Sequence, residues 1–235
     1  MKQLITRGVG LSPAYFEKRH ITAEPKPSPD SFFFRAFAAN EDTAQKVLDT
    51  NYLQKMKDGI LEPDRYGQLT VLDAYYCYRG ANSYDTALCQ VDPDLDAELH
   101  QLMSALAESY HEYNMTFFND WHIRTAESVN PTAEFEAYAE HEHHVSCAEQ
   151  PVYTLVAMLP CYYLWYWFTD KMLPEVAEDN LYKGWVEGSH SCSTAYRIGN
   201  FIESWKQMGK EFDEQLAMEI YTKSMNCELS VFSKA

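Results

Sequence analysis

Apolar residues recur along this chain at intervals of three and four, the spacing that gathers side chains on one face of an α-helix. From Glu41 onward the pattern predicts helix after helix. In EDTAQKVLDTNYLQKMKDG, Val47, Tyr52 and Met56 fall close to one stripe, and Gly59 is placed to cap the C-terminus. GILEPD turns the chain, and Pro63 suits the first turn of the helix that follows. That helix, DRYGQLTVLDAYYCYRG, carries Tyr66, Leu69, Val71, Leu72, Tyr75 and Tyr76 at helical spacings. Further helices read in DLDAELHQLMSALAESYHEYNMTFF, PTAEFEAYAEHEHHV, the aromatic run 151–173, LYKGWVEGSHSCSTAYRIGNFIESWKQM and EQLAMEIYTKSMNCELSVFSKA. No β-hairpin signal or internal repeat interrupts them. The expectation is an all-α, single-domain bundle of about seven helices over residues 41–235, with its sites between facing helices. Residues 1–40 read instead as an N-terminal arm, because AEPKPSPD places three prolines in a short window and favours extended backbone. Its aromatic segment SFFFRAF is suited to cover a pocket or a neighbouring subunit.

Composition supports a packed fold. At 235 residues with 46% hydrophobic and 14% aromatic positions, the chain has enough apolar surface to offset chain entropy. A net charge of -16 argues against nucleic acid or an anionic membrane surface as partner, since both need basic patches. The charge is uneven: residues 1–40 hold six Lys/Arg and three Asp/Glu, leaving 13 against 32 in the remainder. Six scattered cysteines without a C-x-x-C spacing, and a start lacking the apolar run of a secretory signal, fit a reduced, cytoplasmic setting. The stretch PVYTLVAMLPCYYLWYWF, with Pro160 in its middle, reads as a buried core helix and not as a membrane span.

Three positions stand out chemically. Asp73 shares a helical stripe with Leu69 and Tyr76, and a carboxylate there persists only if paired, hydrogen-bonded or kept for a ligand. A structural bond to a backbone group or a tyrosine is its ordinary explanation. Cys161 follows Pro160 in the most aromatic segment, where a thiol is usually inert unless a base or positive field activates it. Glu228 lies between Met225 and Val231 on an inward stripe, and burial raises a carboxyl toward the range useful for acid/base work.

Taken together with their surroundings, these positions resemble the TenA family, whose best-known members are thiaminases II acting on aminopyrimidines. The resemblance covers about residues 41–235 through LQKMKDGILEPDRYGQLTVLDAYYCY, NPTAEFEAYAEH, LVAMLPCYYLWYW, LYKGWVEGS and SMNCELSVFSKA. It implies a haem-oxygenase-like helical fold, a homo-oligomer such as a tetramer, a small-molecule substrate in thiamin salvage, and no metal or other cofactor. It also implies roles: Cys161 as the nucleophile adding to the pyrimidine, Glu228 as acid/base, Asp73 as a hydrogen-bond partner of the ring, and Tyr76 as an aromatic wall.

Departures from the family pattern fall on the pocket wall. After W-V-E-G the family tyrosine is absent, and Ser189 and His190 stand there. Trp165 occupies another tyrosine position, and the mid-chain tyrosine corresponds to Tyr138 if the chain between Pro131 and Cys161 is shifted, with Glu136 the other candidate. Two rivals follow. A diiron oxidase would draw on Glu140, His141, Glu142, His143 and His144, or on Glu108 and His111, although EHEHH reads more simply as a solvated face. A non-catalytic binding protein would keep the pocket without turnover.

Overall fold

Most predicted helices form where the periodicity places them, and the exceptions have local causes. The computed structural model describes residues 24–235, which fold into ten α-helices and two short 3-10 turns, with no strand among the described residues. Three helices come first: α1 (Phe32–Ala39), α2 (Glu41–Leu48) and α3 (Asn51–Lys57). The single helix expected over residues 41–58 is broken because Thr50 adopts extended backbone and its hydroxyl donates to the Val47 carbonyl at 2.7 Å. Gly59 ends α3 as expected. Its φ of +73° is open to glycine, and the Gly59 and Ile60 amides close onto the Met56 and Lys55 carbonyls.

The body follows as α4 (Pro63–Leu88), α5 (Ala97–Asp120), α6 (Ala133–Ala148), α7 (Val152–Met172), α8 (Lys183–Ser189), α9 (Ser193–Gln207) and α10 (Glu214–Lys234). Pro63 occupies the first turn of α4. The stretch expected as one helix over 181–208 is two, because His190 leaves helical backbone with ψ at 68°. These breaks, with α1, account for ten helices where about seven are expected.

Packing radiates from α7. Sixteen of its 21 residues are buried, so it is enclosed on nearly every face, and Pro160 is accommodated without interrupting the helix. Around it stand α10, α6, α8 and α9, while α4 packs mainly against α5 and α6. A close approach joins α4 to α5: a Cβ at Gly80 would lie 2.7 Å from Cε2 of Tyr110. No helix among the described residues is long and apolar enough to cross a membrane.

The arm expected over residues 1–40 needs correction where it is described. Ser31 caps α1 by accepting from the Phe34 amide, and Phe32, Phe33, Ala36 and Phe37 are buried in the core. Phe33 and Phe37 each meet Tyr163 of α7 at 4.7 Å, and the Phe32 amide donates to Glu203 of α9 at 2.6 Å. SFFFRAF therefore covers α7 and α9 of its own chain, and the packed body begins no later than Phe32. The remainder of the expected arm, residues 1–23, lies outside the described residues.

Candidate active site

Four helices contribute to one cleft. On α4, Leu69, Asp73 and Tyr76 stack along a single stripe, as their spacing of four and three requires. Phe135 and Tyr138 reach in from α6, Cys161 and Trp165 from successive turns of α7, and Glu228 and Val231 from α10. Together they enclose ≈ 280 Å³ of free space, the mouth included. Six of the seven residues singled out in the sequence thus converge. Ser189 is buried at the end of α8 and is not among the residues that line the cleft. Of the two alternatives on α6, Tyr138 faces the cleft, whereas Glu136 accepts from the Tyr75 hydroxyl at 2.7 Å and from Arg79 at 3.0 Å outside it.

Hydrogen bonds fix the acids in two different environments. The Tyr113 hydroxyl donates to Asp73 Oδ2 at 2.9 Å. Tyr138 donates to Glu228 Oε1 at 3.1 Å, and the Trp165 indole N–H approaches Oε2 at 3.4 Å. Tyr76 donates to Glu142 Oε1 at 2.6 Å, and its ring lies 4.8 Å from that of Tyr138. Trp165 is held by Trp185 at 5.4 Å and Phe232 at 5.7 Å, so the position departing from the family tyrosine is rigidly packed.

Burial sets the protonation of this cluster. It pushes the Asp73 carboxyl up to about 6, opposed by the Tyr113 hydrogen bond. Glu228 is pushed up to about 8, against its bonds from Tyr138 and Trp165. Cys161 is driven well above the ordinary thiol range, first by burial and then by the charges of Glu228, Asp73 and Glu142, while the nearby Tyr76 hydroxyl opposes the rise. The lining contains two carboxyls and no lysine, arginine or histidine. Near neutral pH it therefore offers one ionised acceptor, Asp73, beside one protonated donor, Glu228.

Tyr113 and Phe135 were not singled out in the sequence, and Glu142 was named there only as a candidate metal ligand. The i, i+4 spacing of Tyr138 and Glu142 was the available signal, because it puts both on one face of α6. The reading of EHEHH as a solvated face needs correction at two positions. His141 and Glu142 are buried, and His141 Nε2 contacts Ser224 Oγ at 3.1 Å. Burial lowers that imidazole to about 4 and keeps it neutral. Glu140 is exposed and ion-paired with Arg79, and His111 contacts Asp85 at 3.0 Å. Among the described residues, no three His, Cys, Asp or Glu side chains are grouped so as to hold a metal.

No family model matches the sequence, and no curated protein matches it. Solved structures do match. A TenA homologue from P. horikoshii OT3 superposes with a TM-score of 0.72 at 15% identity, covering 86% of this chain and 96% of that one. A TenA family transcription regulator from Silicibacter sp. TM1040 gives 0.72 at 10% identity, covering 86% and 95%. A protein of Sulfolobus solfataricus P2 provisionally assigned as a TenA-like thiaminase gives 0.61 at 17% identity, covering 84% and 92%. Identities this low speak to fold alone, and the fold of this chain is that of the TenA homologues its motifs resemble.

Proposed function

We propose that the protein is an aminopyrimidine aminohydrolase of the thiaminase II type, a hydrolase of C–N bonds acting in thiamin salvage in the cytoplasm. The observation that carries this reading is the convergence of one thiol and two differently protonated carboxyls on one aromatic-walled cleft. Ionised Asp73 accepts from the amino group of the ring, while Tyr76, Tyr138, Phe135 and Trp165 sandwich its faces. The Cys161 thiol gives its proton to solvent at the cleft mouth as its sulfur adds to a ring carbon, and protonated Glu228 delivers a proton to the ring nitrogen that receives the electron pair. Addition breaks the aromaticity that resists direct displacement at the exocyclic methylene. The amine then leaves with a proton, water adds to the methylene and returns a proton to Glu228, and sulfur departs as the ring rearomatises. No step calls for a metal.

A non-catalytic reading is favoured by one observation: a structural neighbour is named a transcription regulator. Against it, two acids of opposite protonation beside a thiol exceed what ligand capture needs. The test is hydrolysis of 4-amino-5-aminomethyl-2-methylpyrimidine and of thiamin by the purified protein, run beside a thermal-shift screen of both. Turnover of either supports the aminohydrolase. Stabilisation by a ligand without turnover supports the binding protein. Light scattering tests the homo-oligomeric, tetrameric state that belongs to the same reading.

A further inference from the structure

A second hollow adjoins the cleft and takes no part in the reaction above. Leu69, Phe135 and Val231 line both. The second hollow encloses ≈ 290 Å³ of free space, the mouth included, and adds Arg65 and Gln68 from α4, Thr132 at the start of α6 and Lys234 at the end of α10. Each of these helices passes from one hollow to the other through neighbouring positions. Asp73, Leu69 and Arg65 are spaced by four on α4, while Tyr138, Phe135 and Thr132 of α6, and Glu228, Val231 and Lys234 of α10, are spaced by three. At a rise of about 1.5 Å per residue, the outer polar groups stand about 9–12 Å along the helices from Asp73, Tyr138 and Glu228.

The two hollows have opposite chemistry. The cleft holds two carboxyls and no cation, whereas the outer hollow holds two cations and no acidic side chain. Elsewhere on this acidic chain, cations such as Lys57, Arg79 and Lys210 are taken up by carboxylates. Neither the half-buried Arg65 guanidinium nor the exposed Lys234 ammonium has an ion pair or hydrogen bond among the described residues. The acids beside Arg65 are engaged by other groups: Glu62 accepts from Lys55 at 2.6 Å, and Asp64 from the Arg65 backbone amide at 3.0 Å. Thr132 accepts from the Phe135 amide at 3.5 Å, which leaves its hydroxyl proton to donate, and Gln68 adds a side-chain amide. A guanidinium, an ammonium, a hydroxyl and an amide form a donor set for an anion with several oxygens and about two charges, which is a phosphate monoester.

We propose that the outer hollow is a subsite for a phosphate monoester carried on the leaving half of a substrate whose pyrimidine lies in the cleft. The proposal rests on the aminopyrimidine reading above. Reach selects the ligand. A phosphate about 9–12 Å from the acids belongs on a second ring joined through the exocyclic methylene, as in thiamin monophosphate. A phosphate attached directly to the methylene of a single pyrimidine falls short of Arg65 and Lys234. The cationic second ring of such a ligand crosses the shared wall, where Phe135 offers an aromatic side chain to a cation. The phosphate departs with the leaving half, so the subsite acts on recognition and leaves the bond chemistry unchanged. It lowers KM for the phosphorylated substrate without raising kcat.

The test is calorimetry of thiamin and thiamin monophosphate with the full chain carrying Cys161→Ala, so that neither ligand is consumed. Thiamin monophosphate is expected to bind about tenfold tighter than thiamin, or more. Arg65→Gln and Lys234→Gln are each expected to cut that advantage by about threefold or more, while Kd for thiamin itself changes less than about twofold. Lys234 is exposed in the last turn of α10, so its variant decides alone should Arg65→Gln fail to fold. Equal Kd values for the two ligands, or an advantage untouched by Lys234→Gln, overturn the subsite. If neither thiamin compound binds, the aminopyrimidine reading falls and inorganic phosphate decides, read from the Arg65 Nε–H resonance in a nitrogen–proton correlation spectrum. A saturable shift that Lys234→Gln weakens supports the subsite, and no shift overturns it.

Discussion

In the proposed reaction the two carboxyls of the cleft take different roles because their environments differ. Asp73 must be ionised to accept from the ring and Glu228 protonated to donate, so kcat/KM is expected to rise through about pH 6 and fall through about pH 8. Glu228→Gln should remove the upper limb and lower kcat by about 10²–10⁴, measurable from pH 5 to 9. The same residue makes a stability prediction of defined sign. A carboxyl with a raised folded pKa binds its proton more tightly when folded, so its stabilising effect is present below about pH 4.5 and lost as pH climbs through about 8. Glu228→Gln should therefore melt above wild type at pH 8.5, by about 2–4 °C for each kcal/mol relieved, and lose that advantage at pH 4.5. Tyr113→Phe, which strips the hydrogen bond from Asp73, should move the acid limb to higher pH. Asp73 and Glu228 were legible in the sequence because a polar residue on an apolar stripe is conspicuous, and Cys161 through the proline before it and the resemblance of its segment to the family. Tyr113 and Glu142 were not, since one reads as an ordinary core aromatic and the other sat inside EHEHH, whose charge suggested solvent.

The helices bring these side chains together through close backbone contact. Gly80 lets α4 approach α5, the helix that carries Tyr113 to Asp73. Gly80→Ala drives a Cβ into the buried Tyr110 ring and should cost about 1–3 kcal/mol, read as a lower midpoint in urea with an unchanged slope. Helix positions were readable because a 3.6-residue period survives in each amphipathic segment. What periodicity missed were breaks made by a single residue, Thr50 turning extended and His190 leaving the helix. A period carries no record of one dihedral angle. The all-round burial of α7 was legible from its unbroken apolar run, whereas the face carrying Cys161 was not, because a helix buried on every side has no amphipathic phase.

In the whole molecule, α1 closes the bundle over α7 and α9. Its place was hidden from the sequence because eight residues after a proline-rich stretch show barely two helical turns. Phe33 is completely buried against Tyr163, and a Cβ at Gly199 of α9 would lie 3.1 Å from its side chain. Phe33→Ala should cost about 3–5 kcal/mol, seen in chemical denaturation, whereas an arm merely resting on the surface would give almost nothing. The chain-wide charge of -16 and a cleft lined by acids without a basic side chain suit a basic, amine-bearing ligand. In the proposed reaction Cys161 forms the covalent bond that makes hydrolysis possible. That role is tested most directly by comparing Cys161→Ala with wild type for both turnover and calorimetric binding of 4-amino-5-aminomethyl-2-methylpyrimidine. With Cys161 as the nucleophile, kcat is expected to fall by about 10³-fold or more while Kd changes less than about threefold, and turnover within about tenfold of wild type in the folded variant rules that role out.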